Sequence, residues 1–315
     1  MNPTKLTVFR VIILLLCACS AMAAGEAAPR QSAKLLTIGN SFANNALTFL
    51  PEFAEAGGKE LVVFRANLGG ASLKKHADLV RIFESDTSMP DARPYKNRVH
   101  PRTGKKQDFS LREALEAEAW DFVTIQQLSN DSHRFETYEP SAGFLIAYIR
   151  KHAPQAEILV HQTWAYREDY PGYGKNGLTP ESMHADLVSA YDRLAKHYGL
   201  RLIRSGEAFH AARQTPRWTF RFPDPDFDYA NPPAGKLPDQ KGSLNAGWRW
   251  TGSGDKRRLA LDFKHANNAG KYLAGAMFYQ AIFGEPVPEN VKPLGGLSAE
   301  DAADLLRIAR ETAVK

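Results

Sequence analysis

A serine near the start of the chain lies where it could act as a nucleophile. The apolar run 34–38 is followed at once by Gly39-Asn40-Ser41, and a helix-like run from Leu47 to Ala56 comes next. Much later, Asp262 and His265 form the only Asp-x-x-His of the sequence, at a spacing that would bring both side chains together on one turn. A carboxylate that orients an imidazole beside a serine is an arrangement used for acyl transfer. These residues predict a split hydrolase site.

Each part of this pattern also has a purely structural interpretation. A Gly-x-Ser after a strand usually caps a helix, and an isolated Asp-x-x-His can be a helix-start carboxylate near a surface imidazole. The elements that would position the residues are therefore decisive.

Apolar segments typical of buried strands alternate with amphipathic segments typical of helices. The strand-like segments are 35–38, 61–66, 122–125, 158–161 and 202–203, and the helix-like segments are 73–83, 111–119, 142–152 and 180–198. Continuous apolar strands separated by helices indicate a parallel sheet that is covered on both faces. The predicted fold class is α/β.

The loops after the first three predicted strands carry polar groups. Ser41 follows the first strand, the segment 67–72 with Gly69-Gly70 follows the second, and the segment 126–131 follows the third. In a doubly wound sheet these loops gather at the carboxyl edge, where ligands bind. Amide groups there could stabilise the negative oxygen that forms during acyl transfer.

The order and spacing of these motifs resemble those of the SGNH (GDSL-type) hydrolases, in the bacterial branch catalogued as a domain of unknown function. Gly39-Asn40-Ser41 resembles the first motif block, 67–72 the second, 121–131 the third and 262–265 the fifth. The resemblance implies a three-layer αβα fold with a flavodoxin-like doubly wound parallel sheet. It also implies that Ser41 is the nucleophile and that His265 is the base, oriented by Asp262.

The same resemblance implies an oxyanion hole. Its donors would be the backbone amides of Ser41 and Gly70 and the side-chain amide of Asn130. The third block departs from the family pattern at Leu128, where glycine is usual. This departure leaves Gln126 or Gln127 as an alternative donor.

Two segments interrupt the alternation of strands and helices. The polar segment 85–109 predicts an inserted loop or hairpin, and the segment 215–254 is irregular and rich in proline and aromatic residues. Long loops of this kind are usually functional. We expect a single SGNH-like domain over 34–315 with these two insertions.

The aromatic residues of the segment 215–254 could form a platform for sugar rings or simply pin the loop to the core. The candidate substrate contacts are Gln127, His161, Trp164 and Trp248.

The first residues have the features of an export signal. Lys5 and Arg10 precede an apolar stretch that is too short to span a bilayer, and small residues suited to cleavage follow at 21–23. We expect a signal peptide at 1–24 and a periplasmic or extracellular protein, with a lipid anchor at Cys19 as the alternative. Both cysteines lie in this leader, so the mature chain would have no disulfide.

Composition argues against two classes of partner. The net charge is +5, but the sequence has no clustered stripe of Lys and Arg, so we expect no nucleic-acid partner. The histidines show no spacing typical of a ligand set, so we expect no metal and no other cofactor.

The predicted function is an exported ester hydrolase, specifically an O-acetyl esterase that acts on a glycan. The alternatives are a short-chain acyl esterase or lysophospholipase and, in another class, a catalytically silent glycan-binding protein.

Overall fold

The computed structural model describes residues 29–220 and 224–314. The predicted signal peptide, with Cys19, lies outside the described residues. Within the described ranges, no helix is long and apolar enough to cross a membrane.

The described ranges contain nine strands and nine helices. In chain order the strands are β1 (Ser32–Gly39), β2 (Glu60–Asn67), β3 (Tyr95–Val99), β4 (Lys106–Phe109), β5 (Phe122–Ile125), β6 (Glu157–His161), β7 (Arg201–Ile203), β8 (Asn245–Thr251) and β9 (Arg258–Ala266). The helices are α1 (Ser41–Ala46), α2 (Leu50–Ala56), α3 (Leu73–Ser85), α4 (Leu111–Glu116), α5 (Ser141–His152), α6 (Pro180–Tyr198), α7 (Ser205–Arg213), α8 (Asn268–Phe283) and α9 (Ala299–Ala313).

Five parallel strands form the central sheet in the order β2-β1-β5-β6-β7. Every residue of β5 is buried, because helices cover both faces of the sheet at its centre. This strand order places the first strand between the second and third strands of the sheet, which is the flavodoxin-like arrangement. The predicted α/β fold with a doubly wound parallel sheet is confirmed. The switch in strand order lies between β1 and β5, directly below Ser41.

The helices form two layers around the sheet. Helices α1, α2, α7, α8 and α9 contribute to one apolar cluster, and α3, α4, α5 and α6 contribute to the cluster on the other face. Helix α8 has buried residues around most of its circumference, because α9, α1, α7 and α2 pack against it in addition to the sheet. Burial of these faces holds the carboxyl edge of the sheet in place.

Two antiparallel hairpins stand outside the central sheet. Strands β3 and β4 pair within the segment 85–109, and β3 packs against the edge strand β2. Strands β8 and β9 form the second hairpin. The expectation that 215–254 is irregular throughout is therefore wrong for its last part, because residues 245–251 pair with β9.

Two local expectations are also corrected. The run Leu47–Ala56 is not one helix, because α1 ends at Ala46 and α2 begins at Leu50. The pair Asp262 and His265 does not lie on a helical turn but within strand β9.

Candidate active site

The corner that presents Ser41 is fixed by the buried side chain of Asn40. Its Oδ1 accepts a hydrogen bond from the amide of Phe42 (3.0 Å) and so caps helix α1 at its first turn. Its Nδ2 donates to the carbonyl of Ala71 (2.9 Å), in the loop that follows β2. Asn40 therefore joins the loops after β1 and β2, and Ser41 is held as the first residue of the helix.

A chain of buried amides continues from Asn40 to the centre of the sheet. Gln126 donates from Nε2 to Asn40 Oδ1 (2.8 Å), and its Oε1 lies 3.1 Å from Nδ1 of His161. Since the amide oxygen can only accept, His161 carries its proton on Nδ1. Burial lowers the pKa of His161 to about 3, so the ring is neutral.

A second buried histidine supports the same corner from the other side. His76 on α3 lies with Nε2 3.0 Å from the carbonyl of Gly39 and Nδ1 3.0 Å from the hydroxyl of Tyr95. The carbonyl can only accept, so Nε2 carries the proton and Nδ1 accepts from Tyr95. Burial lowers the pKa of His76 to about 4, although the hydrogen bond to Gly39 opposes the shift. A neutral His76 thus fixes the last peptide of β1.

A bulge in the hairpin β8–β9 brings Asp262 and His265 together. Asn245 pairs with Ala266 and Gly247 pairs with Asp262, so the three residues 263–265 stand opposite a single residue of β8. In a regular strand, residues three apart point to opposite faces. The extra residues fold the strand so that Asp262 Oδ1 accepts from the backbone amide of His265 (3.1 Å).

The bulge is supported by hydrogen bonds to its carbonyls. Trp164 donates from Nε1 to the carbonyl of Lys264 (2.9 Å), and Asn245 donates from Nδ2 to the carbonyls of Phe263 (3.1 Å) and Lys264 (3.2 Å). The backbone amide of Arg167 also donates to Phe263 (3.0 Å). These contacts stabilise an irregular backbone whose groups would otherwise be unpaired.

A buried ion pair lies beneath the hairpin opposite Asp262. Arg167 bonds both carboxylate oxygens of Asp169 (2.7 and 2.6 Å) and donates to Gln240 Oε1 (2.7 Å). Gln240 also pairs with the backbone of Trp248 through both ends of its amide. Gly247 has φ +68°, and a Cβ atom there would overlap Arg167 and Gln240. A side chain at this position would strain the backbone and displace the contact between Arg167 and Gln240.

Ser41, His265 and Asp262 form a continuous hydrogen-bonded triad. The distance from Ser41 Oγ to His265 Nε2 is 2.8 Å, and His265 Nδ1 lies 2.9 to 3.0 Å from the two oxygens of Asp262. A carboxylate can only accept, so the ring proton is on Nδ1 and the lone pair of Nε2 faces the serine hydroxyl. This is the tautomer that can accept the serine proton.

The carboxyl of Asp262 has a second partner, Arg249 on β8, whose Nη2 lies 3.1 Å from Oδ2. Burial works to raise the pKa of Asp262, but the hydrogen bonds and charge of His265 and the charge of Arg249 outweigh it. They hold the pKa of Asp262 well below its usual range. Asp262 is therefore ionised at every physiological pH and can stabilise a positive charge on the imidazole.

Asn130 lies exposed at the end of the loop after β5, with its amide oxygen held from two sides. Oδ1 accepts from the hydroxyl of Tyr166 (2.8 Å) and from Nζ of Lys264 (3.2 Å). An ammonium can only donate, so the atom that faces Lys264 must be oxygen. Nδ2 of Asn130 has no acceptor in the part of the chain that the structure describes, so it is available as a donor. Lys264 precedes His265, so this donor is tied to the strand that carries the imidazole.

Gly70 lies in the turn between β2 and α3, with φ +68°, which glycine adopts at no steric cost. The turn is closed by a hydrogen bond from Ala71 to the carbonyl of Leu68 (3.1 Å). Gly69 and Gly70 are exposed, and the bond from Asn40 to Ala71 ties the turn to the Ser41 corner. The amide of Gly70 has no protein acceptor among the described residues.

The alternative donors Gln126 and Gln127 are buried, and their side-chain amides bond other groups of the protein. Gln126 bonds Asn40 and His161, as described above. Gln127 accepts from the amides of Leu73 (3.0 Å) and Leu128 (2.9 Å) and donates to Thr137 (2.9 Å). Neither amide is free to bind a substrate, which leaves Asn130 as the exposed side-chain donor of this loop.

The other candidate substrate contacts are buried or lie on the face of the hairpin opposite to Asp262. His161 and Trp164 are buried, like Gln127, and Trp164 stacks between Phe42 and Phe209 at centroid distances of 4.5 and 4.4 Å. Trp248 pairs with Leu261 in the hairpin, one position from Asp262, so its side chain lies on the opposite face of the two strands. The triad and Asn130, by contrast, are brought to one edge of the sheet.

The aromatic residues of the segment 215–254 mainly fasten it to the hairpin. Tyr229 packs on Trp248 at 5.1 Å between ring centroids, and Trp250 donates from Nε1 to the carbonyl of Lys236 (2.8 Å). The interpretation that these aromatics pin a long loop therefore describes the contacts better than that of a sugar platform at the triad.

Sequence reasoning missed three residues of the site: Arg249, Lys264 and Tyr166. Nothing in the sequence pairs them with Asp262 and Asn130, because the contacts of Arg249 and Lys264 depend on the register of the β8–β9 hairpin and the contact of Tyr166 joins the loops after β5 and β6. Of the three, only Lys264 could have been noticed from the sequence, because it lies inside the Asp-x-x-His motif. Among the described residues, no group of three or more His, Cys, Asp or Glu side chains could hold a metal ion.

Comparison with known families agrees with the fold. A family model described as a domain of unknown function, DUF4886, matches residues 34–217, more than half of the chain. The chain belongs to the DUF4886 family. This match confirms the predicted resemblance to a branch catalogued as a domain of unknown function, and the matched segment includes Ser41, Gly70 and Asn130 but ends before Asp262. No curated protein matches the chain.

Solved structures resemble the chain at low sequence identity. A DUF4886 protein from Bacteroides uniformis is 23% identical, with a TM-score of 0.67, over 90% of this chain and 95% of that one. A proposed SGNH hydrolase from Slackia heliotrinireducens is 20% identical, with a TM-score of 0.49, over 79% and 98%. A variant of an acetyl-xylooligosaccharide esterase from Geobacillus is 12% identical, with a TM-score of 0.41, over 82% and 96%. The first of these likenesses shows a shared fold.

Proposed function

We propose that the chain is an exported serine esterase that forms an acyl-enzyme on Ser41. The observation that carries this proposal is the contact of 2.8 Å between Ser41 Oγ and His265 Nε2, with His265 Nδ1 held by Asp262. A loop serine that only capped a helix would have no need of an imidazole in the tautomer that accepts its proton. Here Asn40, not Ser41, caps α1.

The proposed reaction uses each group in a defined role. His265 takes the proton of Ser41 as Oγ attacks the ester carbonyl, and Asp262 stabilises the imidazolium. The negative oxygen binds Nδ2 of Asn130 and the amides of Gly70 and Ser41, since the first amides of a helix have no intrahelical partner. His265 then gives its proton to the departing alcohol. Water, activated by the same imidazole, releases the acid and restores Ser41.

The preferred substrate is a short acyl ester, specifically an O-acetyl group on a glycan. Gly69, Gly70 and Asn130 are exposed, and the His265 side chain keeps 36% of its surface accessible. An open, polar site suits a small acyl group on a large hydrophilic alcohol. A long acyl chain would instead need an enclosed apolar channel.

The test is covalent labelling with a serine-directed fluorophosphonate, together with hydrolysis of p-nitrophenyl acetate. Wild-type protein should be labelled at Ser41 and should release acetate. Ser41→Ala should show neither, with the fold retained. Ser298→Ala is the matched control: Ser298 caps α9 by accepting from the amide of Asp301 and forms no hydrogen bond with a triad residue in the described ranges, so its loss should leave labelling unchanged. Hydrolysis by Ser41→Ala at the wild-type rate would refute the assignment. Unlabelled wild type would favour a catalytically silent glycan-binding protein.

A further inference from the structure

Two arginines without carboxylate partners lie beside the Ser41 corner. Arg65 on β2 donates from Nη2 to the carbonyl of Leu47 (3.2 Å), and Arg98 on β3 donates from Nη2 to the carbonyl of Asn67 (3.2 Å). In the described ranges neither guanidinium forms an ion pair. Most arginines of this chain do, as Arg93 does with Glu113 and Arg201 with Glu157.

The positive charge of Arg98 acts on the guanidinium of Arg65. Partial burial lowers the pKa of Arg65, and the charge of Arg98 lowers it further, against a smaller opposing effect of Glu52. Two like charges that are partly removed from water and not neutralised are unfavourable in the free protein. An anion bound between them would remove that cost. Planar guanidinium forks match the two oxygens of a carboxylate in particular.

This arginine pair lies on the same edge of the sheet as the triad. Asn67 is the last residue of β2, and it pairs in register with Gly39, two residues before Ser41. Its Nδ2 donates to Oδ1 of Asn44 (2.9 Å), which is exposed one turn after Ser41 on α1. One turn of helix is about 5.4 Å. A substrate that extends from Ser41 across Asn44 would therefore reach Arg98 and then Arg65.

The opposite side of Ser41 is also positively charged. Lys264 has no carboxylate partner among the described residues, and its Nζ contacts Asn130 and the rings of Tyr166 and Phe263. Arg249 pairs with Asp262, which already serves His265. Cationic groups thus lie on both sides of the nucleophile, and such a surface attracts anions.

We infer that the alcohol part of the substrate carries a carboxylate, which Arg98 and Arg65 bind while Ser41 attacks a neighbouring ester. The inference rests on the proposed esterase function and narrows its substrate class to acylated acidic glycans of the uronic-acid type. The two arginines would bind the substrate without contact with the reacting atoms. Their loss should therefore raise KM and leave kcat unchanged.

The experiment measures acetate release from partly O-acetylated polygalacturonate and from the same polymer with its carboxylates converted to amides. The wild-type enzyme should show a KM about 10-fold lower for the acidic polymer, and added salt should reduce the difference. Arg98→Gln should raise KM for the acidic polymer about 10-fold and leave the amidated polymer unaffected. Arg65→Gln should act in the same direction.

Arg150→Gln is the matched control. Arg150 also lacks a carboxylate partner in the described part of the chain and bonds a backbone carbonyl, that of Tyr198, but it lies on α5 away from the triad. It should leave both values of KM unchanged. The comparison of the two polymers with the wild-type enzyme needs no variant to fold.

The outcomes separate the inference from the proposed function. Equal KM values for the two polymers, or Ser41 labelling without acetate release from either one, would overturn the inference and leave the esterase proposal standing. Absence of both Ser41 labelling and p-nitrophenyl acetate hydrolysis would overturn the esterase proposal itself.

Discussion

The hydroxyl of Tyr166 should matter to catalysis only through Asn130. It is one of two donors that hold Asn130 Oδ1, at 2.8 Å, and the other is the flexible Lys264 at 3.2 Å. Nδ2 of Asn130 is the proposed oxyanion donor, so its loss in Asn130→Ala should lower kcat by about 100 to 1000-fold. Tyr166→Phe removes one neutral hydrogen bond of about 1 kcal/mol. Lys264 is then the remaining donor that orients the side-chain amide of Asn130. We expect kcat to fall about 5-fold, with KM unchanged.

A double-mutant cycle tests this reasoning. In the Asn130→Ala background, Tyr166→Phe should have no further effect on kcat, because no amide remains to be oriented. Tyr173→Phe is the control: its hydroxyl donates to the backbone carbonyl of Tyr166 (3.2 Å) and does not contact Asn130. Turnover of p-nitrophenyl acetate at saturating substrate gives kcat for each variant. The reasoning is refuted if Tyr166→Phe lowers kcat by the same factor in both backgrounds.

Two further predictions concern the support of the site. Gly247→Ala should lower both the free energy of unfolding and kcat, because its Cβ would overlap Arg167 and Gln240 opposite Asp262. Gly254→Ala is the control, since Gly254 has a similar φ of +53° but open space around it. It should lower the free energy of unfolding, measured by thermal unfolding, by only about 1 kcal/mol. Equal losses for the two variants would contradict this account. Burial lowers the pKa of His76 to about 4 and that of His161 to about 3, so the unfolded chain binds more protons than the folded one from pH 6.5 down to those values. Stability should therefore fall as the pH decreases through this range, and urea unfolding of His161→Gln should show a smaller fall; an unchanged slope would show that His161 is not held neutral.

The central sheet could be predicted because the local sequence pattern of its strands is distinctive. The run 122–125 is apolar without interruption, and a continuous apolar run of that length fits a strand that is buried on both faces. Helix α6 was predicted with its observed bounds, since Thr179 and Pro180 mark its start and Gly199 marks its end. The positions of Ser41 and Asn130 followed from the ends of such strands.

The hairpin β8–β9 could not be predicted in the same way. Residues 245–251 mix small, aromatic and charged side chains, and their pairing with β9 depends on a bulge that no local pattern encodes. The burial of His161 and Trp164 could not be predicted for a related reason. A polar or aromatic residue after a strand has the same sequence signal whether it faces a pocket or packs inward, and Trp164 packs between Phe42 and Phe209.

The bulge at 263–265 has a consequence for relatives of this chain. Asp262 and His265 meet only because residues 263–265 bulge opposite a single residue of β8. Removing or adding one residue between them would therefore turn the imidazole to the other face of the hairpin. The family match ends at residue 217, before this hairpin begins. A homologous sequence can therefore share the serine corner and still lack a general base. Under the proposed function, the presence of this spacing after the matched segment should distinguish family members that can hydrolyse esters from those that cannot.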